Sequence, residues 1–182
     1  TTTTHAVLAA AAAAGFGERE RTLRLWLATI TVSVLPDADT LGFALGVDYG
    51  DMLGHRGFFH SPFFALVLGI VVATTCFSHH RPLSRTWWKY VALLFLVGAS
   101  HGVLDAFTDG GLGVALLAPF SSARFFSPWT PIPVAPIGLA AALSGWGGRV
   151  IAWEIVHPWV PAFVALAGFR VIKRWLRRGH TP

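Results

Sequence analysis

The sequence predicts an all-α fold, namely a polytopic integral membrane helical bundle of about 4–5 segments. Of the 182 residues, 54% are hydrophobic and only 13% are charged, and the mean hydropathy is +0.58. Soluble domains carry about 25% charged residues. The apolar runs are also separated by short turns that are rich in Lys and Arg. The length suits a single domain, residues 1–182, embedded in the membrane.

The first two predicted segments are short. Residues 6–16 form an Ala-rich apolar run, and residues 23–35 form a second run that Pro36 ends, because the residue before a proline avoids the α region. Neither run reaches the ~20 residues of a full span. Residues 6–35 therefore either cross the membrane as two short helices or pack as an antiparallel pair. The opening TTTTHAVLAA lacks the basic start of a signal peptide, and whether Thr1 is the native start stays open.

Three longer apolar runs are predicted to span the bilayer. They comprise residues 58–77, 87–104 and 150–172. Residues 36–61 are rich in Gly and Asp, and we expect an ordered loop outside the bilayer there. Residues 106–149 are predicted to be irregular, because they carry a dense run of prolines and a Gly-rich stretch, SGWGG, that is typical of a hinge.

Charge predicts the orientation in the membrane. Most Lys and Arg residues fall in the turn GERERTLR, the turn HHRPLSRTWWK and the tail from Arg170, and most acids fall on the other side. The positive-inside rule places the basic turns and the C-terminus in the cytoplasm, so the acidic side faces outward from the inner membrane. Because the basic residues flank apolar runs and form no recognition motif, we expect no nucleic-acid partner.

Histidine and aspartate residues gather on the predicted outward side. His101 and Asp105 lie four residues apart at the end of a span, so on a helix they share a face and can grip one metal ion. The alternative for this pair is a buried hydrogen bond that pins two helices. Ionisable groups at the end of an apolar span are functional candidates by default. The predicted metal ligands are His5, Asp39, His55, His60, His101 and Asp105.

Three more residues on this side are predicted to be catalytic. Asp37 is expected to be a ligand, to orient a ligand or to act as a base for water, although alone it would more often be a turn residue or a cap. Arg56 and Arg124 are expected to steady a phosphate, since the planar guanidinium fork binds phosphate; charge balance in an acidic site is the alternative. Imidazole and carboxylate ligands predict a divalent metal, preferably two ions, with zinc favoured over manganese or iron.

Several motifs resemble those of one family. LPDADTLGF, YGDMLGHRGFFHS and SHGVLDAFTDGGLG occur in this order and are similar to motifs of the YdjM-like group of membrane-bound metal-dependent hydrolases. The resemblance is clearest over residues 4–138 and implies a multi-span helical protein whose His and Asp residues bind metal. The ligand order also has a distant likeness to zinc-dependent phospholipase C. The further His and Glu ligands of a three-zinc site are missing, unless His157 or Glu154 supplies one.

Together these observations predict a membrane-bound hydrolase that cleaves a phosphoester in a lipid or lipid-linked substrate at the outer membrane face. Metal ions would lower the pKa of a bound water towards about 7. The lipid is inferred from location, because a site at the membrane face meets lipids first, and the aromatic, Pro-rich residues 119–136 would border its route. The alternative is a non-enzymatic membrane protein, either a metal or proton transporter or a metal-stabilised structural bundle. The exact substrate and the oligomeric state stay open.

Overall fold

Helices form the framework of the structure, a computed structural model in which residues 1–17 and 20–178 are described. Within these ranges no β-strand forms, so the predicted all-α class is confirmed; the β pairing there is limited to two isolated bridges. Two 3₁₀ segments, Leu35–Leu45 and Phe58–His60, lie between the second and third α-helices. The α-helices are α1 Thr2–Gly15, α2 Leu23–Val34, α3 Pro62–Cys76, α4 Arg85–Ala106, α5 Leu139–Ala142, α6 Gly145–Glu154 and α7 Val160–Arg178.

A polar cap decides where α3 begins. The Ser61 hydroxyl accepts a hydrogen bond from the amide of the third residue beyond it, and Pro62 occupies the first turn, where its missing N–H costs nothing. The predicted span over residues 58–77 is therefore too long. Phe58–His60 forms a separate 3₁₀ turn, and α3 has only 15 residues.

Two segments that were predicted as a loop and a hinge are helical. The chain after α2 continues as the 3₁₀ helix Leu35–Leu45, because Pro36 fits the first turn of a new helix although it cannot extend the α-helical ladder. The SGWGG stretch begins α6, since the Ser144 hydroxyl accepts from the Gly147 amide at 3.3 Å and caps the helix. The irregular chain expected between the last two spans is confined to residues 107–138 and a short stretch around α5.

A π-helical turn at Ile155–Trp159 joins α6 to α7. It contains a proline, which removes one helical hydrogen bond and crowds the carbonyl of the preceding turn. The joined helix still packs along α1: Trp159 Nε1 donates to Thr4 Oγ1 at 2.7 Å, and Arg170 donates to the Ala14 carbonyl at 3.0 Å. These contacts near both ends of α1 make α7 run parallel to it.

The bundle of α1 to α4 has two chemically different ends. At the apolar end, α1 and α3 finish while α2 and α4 begin, and the core there includes Leu25, Phe77, Trp87 and Tyr90. The rings of Phe77 and Tyr90 stack with centroids 4.2 Å apart. At the polar end, α1 and α3 begin while α2 and α4 finish. The predicted ligands lie at this polar end, which the helix directions place opposite the two basic turns.

Two helical stretches in the described part of the chain are long and apolar enough to cross a membrane, Arg85–Ala106 and Gly145–Lys173. The most apolar part of Gly145–Lys173 is not buried inside the protein, so it presents an apolar surface to its surroundings, as a lipid-facing helix does. Pro62–Cys76 is also apolar but shorter.

Candidate metal centre

Four potential ligand atoms meet at the polar end. They belong to Asp37, His60, His101 and Asp105, and they all lie within 4.8 Å of one another. The two Nε2 atoms of His60 and His101 are 3.1 Å apart. Asp37 Oδ1 is 3.3 Å from His101 Nε2, and Asp105 Oδ2 is 3.5 Å from His60 Nε2. Ligands at the corners of a tetrahedron around zinc lie roughly 3.3–3.5 Å apart, and the separations here run from 3.1 Å to 3.9 Å for the histidine contacts, so the group could hold one such ion.

Close packing of α4 against the start of α3 brings these residues together. Asp37 lies in the 3₁₀ segment after α2, His60 directly precedes the cap of α3, and His101 and Asp105 lie on the last turns of α4. Gly102 permits this approach, because a Cβ there would lie 2.0 Å from the His60 carbonyl oxygen. The predicted common face of His101 and Asp105 is present.

A backbone carbonyl fixes the orientation of the His101 ring. His101 Nδ1 lies 2.7 Å from the Ser33 carbonyl oxygen. A carbonyl can only accept, so Nδ1 carries the hydrogen and Nε2 keeps the lone pair that a metal ion requires. Ser33 also donates its hydroxyl to the His5 carbonyl at 2.8 Å, so α2 holds the two histidine-bearing helices in register.

His5 flanks the four-residue group. Its ring stacks on His101 with centroids 3.7 Å apart, and its Nε2 lies 3.4 Å from Asp105 Oδ1. The His5 side chain is buried, and its Nδ1 has no hydrogen-bond partner. A buried, unsatisfied ring nitrogen is costly, so His5 is also available to a bound ion or ligand.

Asp39 and His55 form a second layer behind His60. Asp39 Oδ1 is 2.7 Å from His55 Nδ1, and Asp39 Oδ2 is 3.1 Å from His60 Nδ1. The second contact is close but is not aligned as a hydrogen bond. The Arg56 amide donates to Asp39 Oδ2 at 3.2 Å. Asp39, His55 and His60 also satisfy the geometry of a possible metal group, so His60 belongs to both sets.

The two carboxylates of the 3₁₀ helix Leu35–Leu45 are held ionised. Burial favours the neutral form of Asp37, but its contacts with His101 and His60 outweigh burial and keep the pKa of Asp37 well below its usual range. Contacts with His55 and His60 likewise lower the pKa of Asp39 against the effect of burial. Burial alone would lower the pKa of His60, yet Asp37 and Asp39 raise it to about 9. The group therefore favours positive charge at its centre, carried by a proton or by a metal ion.

Arg56 lies at the edge of the centre. Its backbone is left-handed, with φ of 62°, and its side chain is buried. Nε lies 3.2 Å from Asp105 Oδ2, and Nη1 donates to Thr108 Oγ1 at 2.9 Å and to the Gly110 carbonyl at 2.8 Å. Arg56, Asp37 and Asp105 line a cavity of about 170 Å³. Solvent-sized molecules can therefore reach the carboxylates beside a guanidinium.

Arg124 has a different setting. Its guanidinium donates to the carbonyls of Tyr49 at 2.8 Å, His55 at 2.9 Å and Asp51 at 3.0 Å. It also lies over the Tyr49 ring, 5.6 Å from the centroid. The side chain thus ties the loop around residues 49–55 together, and the structure does not bring it into the ligand group.

The two further ligand candidates, Glu154 and His157, have different surroundings. His157 stacks on Trp153 and lies on the exposed side of the helix. Glu154 is buried and accepts a hydrogen bond from the Thr1 hydroxyl at 2.6 Å. Neither belongs to the metal-type groups found among the described residues. Sequence reasoning did not single out Ser33, Thr108 or Gly102, because serine, threonine and glycine carry no ligand signature.

The fold and the centre define a class: a helical membrane protein with a buried His–Asp cluster that could hold a metal ion. The chain belongs to the family of the YdjM inner membrane protein, whose model matches residues 1–179, so the resemblance to the YdjM-like group is confirmed. It is 37% identical over 166 residues to "Inner membrane protein YbcI" of Escherichia coli (strain K12), covering 91% of this chain and 94% of that relative. No solved structure matches the chain. The family supports an inner-membrane location.

Proposed function

We propose that this protein is a metal-dependent hydrolase that cleaves a phosphoester in a lipid or lipid-linked substrate at the outer face of the inner membrane. The observation that carries the proposal is the convergence of Asp37, His60, His101 and Asp105 on one point at the wall of an accessible cavity. Burying ionisable groups of this kind costs free energy, and the chain carries few charges elsewhere. A bound catalytic cation explains why these groups are present.

The metal we assign is zinc, with manganese and iron as the alternatives that metal analysis separates. Two imidazole nitrogens and two carboxylates suit these ions. Because His60 belongs to both possible groups, two ions would have to use both nitrogens of one ring. We therefore assign one ion to the four-residue group, in place of the two ions expected from the sequence, and assign Asp39 and His55 to orienting His60. The ion would supply Lewis-acid activation of water and of the phosphoryl group.

The side chains around the cavity would then bind and orient the substrate. Arg56 would donate a charge-assisted hydrogen bond to a phosphate from the part of its guanidinium that Thr108, Gly110 and Asp105 leave free, since it lines the cavity. Asp37 is the most exposed member of the ligand group, so it is the member that a substrate or water would meet first. Arg124 would act indirectly, by holding the loop that carries His55.

We further propose that α1, α2, α3, α4 and the joined helix of α6 and α7 make five crossings. The helix directions put the polar end on the side opposite the basic turns and the C-terminal tail. With the basic turns in the cytoplasm, the metal centre faces outward and the C-terminus faces inward. Fusion of a reporter that works only in the periplasm, at residue 144 and at the C-terminus, tests this: activity at 144 alone is expected.

The deciding experiment measures metal content and phosphoester hydrolysis on detergent-purified protein. We expect about one equivalent of zinc in the native chain and none in His101→Ala or His60→Ala. Removal of the metal by a chelator should abolish hydrolysis, and added zinc should restore it. Protein that neither contains nor takes up metal would overturn the proposal.

One observation favours a second candidate, a structural metal that staples the bundle. Four protein ligands complete a tetrahedral set, and structural zinc sites are closed in this way. A structural ion would raise the unfolding temperature strongly while no phosphoester is cleaved. A catalytic ion would give chelator-sensitive hydrolysis, with folded protein surviving its removal.

A further inference from the structure

An apolar cavity adjoins the metal centre. It has a volume of about 360 Å³, and its walls include Pro136, Gly138, Ala142, Gly147 and Ile151. The cavity that opens on the metal centre shares Pro136 and Gly138 with it. The two cavities therefore lie side by side, one lined mainly by polar groups and the other mainly by small apolar groups.

Two of the three threonine hydroxyls that line the apolar cavity are already hydrogen-bonded. The Thr1 hydroxyl donates to Glu154, and the Thr2 hydroxyl donates to Asp37. The remaining walls come from alanine, proline, glycine, isoleucine and a further threonine. A ligand there gains little from hydrogen bonding and much from burying hydrocarbon.

The apolar cavity also lies against a surface suited to lipid. Ile151 belongs to α6, which begins the long apolar helix Gly145–Lys173, and the unburied part of that helix follows Glu154. Exposed apolar side chains lie nearby in the chain, at Ile137, Leu143 and Trp146. These side chains give an alkyl chain an apolar surface next to the cavity, and Arg149 is a charged neighbour, 5.3 Å from the Trp146 ring centroid.

We infer that the apolar cavity holds one hydrocarbon chain of the substrate while its phosphoester lies beside Arg56 and the metal ligands. The inference rests on the proposed function for the reacting end of the substrate and adds its class: an amphiphile with an alkyl chain next to the phosphate. The cavity is near the small end of the range for ligand sites, about 300–1,000 Å³, which suits one chain rather than two.

The test compares two probes with the same scissile bond, methyl para-nitrophenyl phosphate and hexadecyl para-nitrophenyl phosphate, on protein in nanodiscs. Ile151→Trp fills the cavity, and Val156→Trp adds similar bulk at an exposed position of the same joined helix. We expect Ile151→Trp to lower the hexadecyl-to-methyl ratio of kcat/KM by about tenfold or more, and Val156→Trp to leave it unchanged. A ratio that Ile151→Trp does not change overturns the inference and leaves the hydrolase proposal standing.

A binding measurement separates the inference from the proposed reaction. A hexadecyl phosphate that carries a photoreactive diazirine at mid-chain should label residues 135–151 in the native protein and not in Ile151→Trp. Ala142→Leu, a smaller filling of the same cavity, serves if Ile151→Trp does not fold. If neither phosphodiester is cleaved, the hydrolase proposal fails. The position of the photochemical label then tests by itself whether the apolar cavity binds an alkyl chain. Labelling spread over α7 without enrichment in residues 135–151 overturns the inference.

Discussion

The apolar and polar ends of the α1–α4 bundle use the same four helices for opposite purposes. At the apolar end, Leu25 and Phe77 are fully buried among other hydrocarbon side chains, and their close packing stabilises the contacts between helices within a bilayer. At the polar end, His60 and His101 are just as buried, but their neighbours are carboxylates and carbonyls. Burial of these groups costs free energy unless each is paired.

The difference teaches where stability and chemistry reside. The apolar end supplies the favourable free energy that holds the helices together, so the polar end can assemble groups that would not assemble by themselves. Sites built on rigid elements also hold their geometry better than sites on loops. The two ends should therefore respond differently to mutation, and the predictions run from the largest expected effect on metal binding to the smallest.

The largest contrast is expected between two buried residues of α4. His101→Ala should abolish metal binding and hydrolysis, because it removes a ligand whose orientation the Ser33 carbonyl fixes. Leu94→Ala, a core truncation two turns away, should cost about 2–5 kcal/mol of stability and leave the metal content of the folded protein unchanged. Metal analysis and thermal unfolding measure the two effects. A His101→Ala protein that keeps its metal would contradict the comparison.

A second contrast uses two glycines of α4. Gly102→Ala places a methyl group 2.0 Å from the His60 carbonyl, so we expect α3 to be pushed away and most metal binding to be lost. Gly98→Ala meets the side chains of Ala65 and Val32, both at 3.1 Å, and no backbone atom closer than 3.6 Å, so a modest loss of stability with normal metal content is expected. Equal metal affinity in both variants, measured by competition with a chelator, would show that the approach at Gly102 is not needed.

Asp39→Asn should act through the histidines that it contacts. We expect metal affinity to fall by about 10–100-fold, the usual effect of losing a carboxylate behind a histidine ligand. Asp51→Asn is the matched control, since Asp51 accepts from the Asp48 amide in an exposed turn. If Asp39→Asn lost all metal, Asp39 would be a direct ligand, as the sequence predicted.

The last prediction is a pH dependence of metal affinity, which between about pH 7 and pH 9 is expected to be comparable to the effect of Asp39→Asn. In the metal-free protein the pKa of His60 is raised to about 9, so a metal ion must displace its proton below that pH. We expect affinity to rise about tenfold per unit from pH 7 and to level off near pH 9. In the metal-free protein, the charged contacts of His60 stabilise the fold fully below about pH 6.5 and are lost as the pH rises through about 9. A flat affinity profile over this interval would contradict the raised pKa of His60.

The sequence predicts local features of this centre well. His101 and Asp105 share a face because helical spacing is a local property, and α4 is a continuous apolar run. The sequence predicts the start of α3 too early, because Ser61 caps the helix and Pro62 opens its first turn, so Phe58–His60 forms a separate 3₁₀ turn.

Other features depend on contacts that the sequence does not encode locally. Asp37 and Asp39 are two residues apart on a 3₁₀ helix, where successive residues turn by about 120°. Asp37 therefore faces His101, and Asp39 faces His55. Because the sequence predicts a loop there, it does not predict that the two carboxylates have different neighbours. Ser33 contributes a backbone carbonyl to the centre. Because every residue type has this group, the sequence does not identify Ser33 as part of the site. The sequence correctly put Arg124 near the acidic side, but its carbonyl partners come from distant loops.

The short third helix has a consequence for the lipid around it. Fifteen residues rise about 22 Å, whereas the hydrocarbon layer is about 30 Å thick. With α3 crossing as proposed, this hydrophobic mismatch draws the leaflets together at one side of the bundle. Because His60 lies just before α3, headgroups would sink towards the level of the candidate metal centre there, and the proposed phosphoester substrate would reach it without being lifted far out of its leaflet.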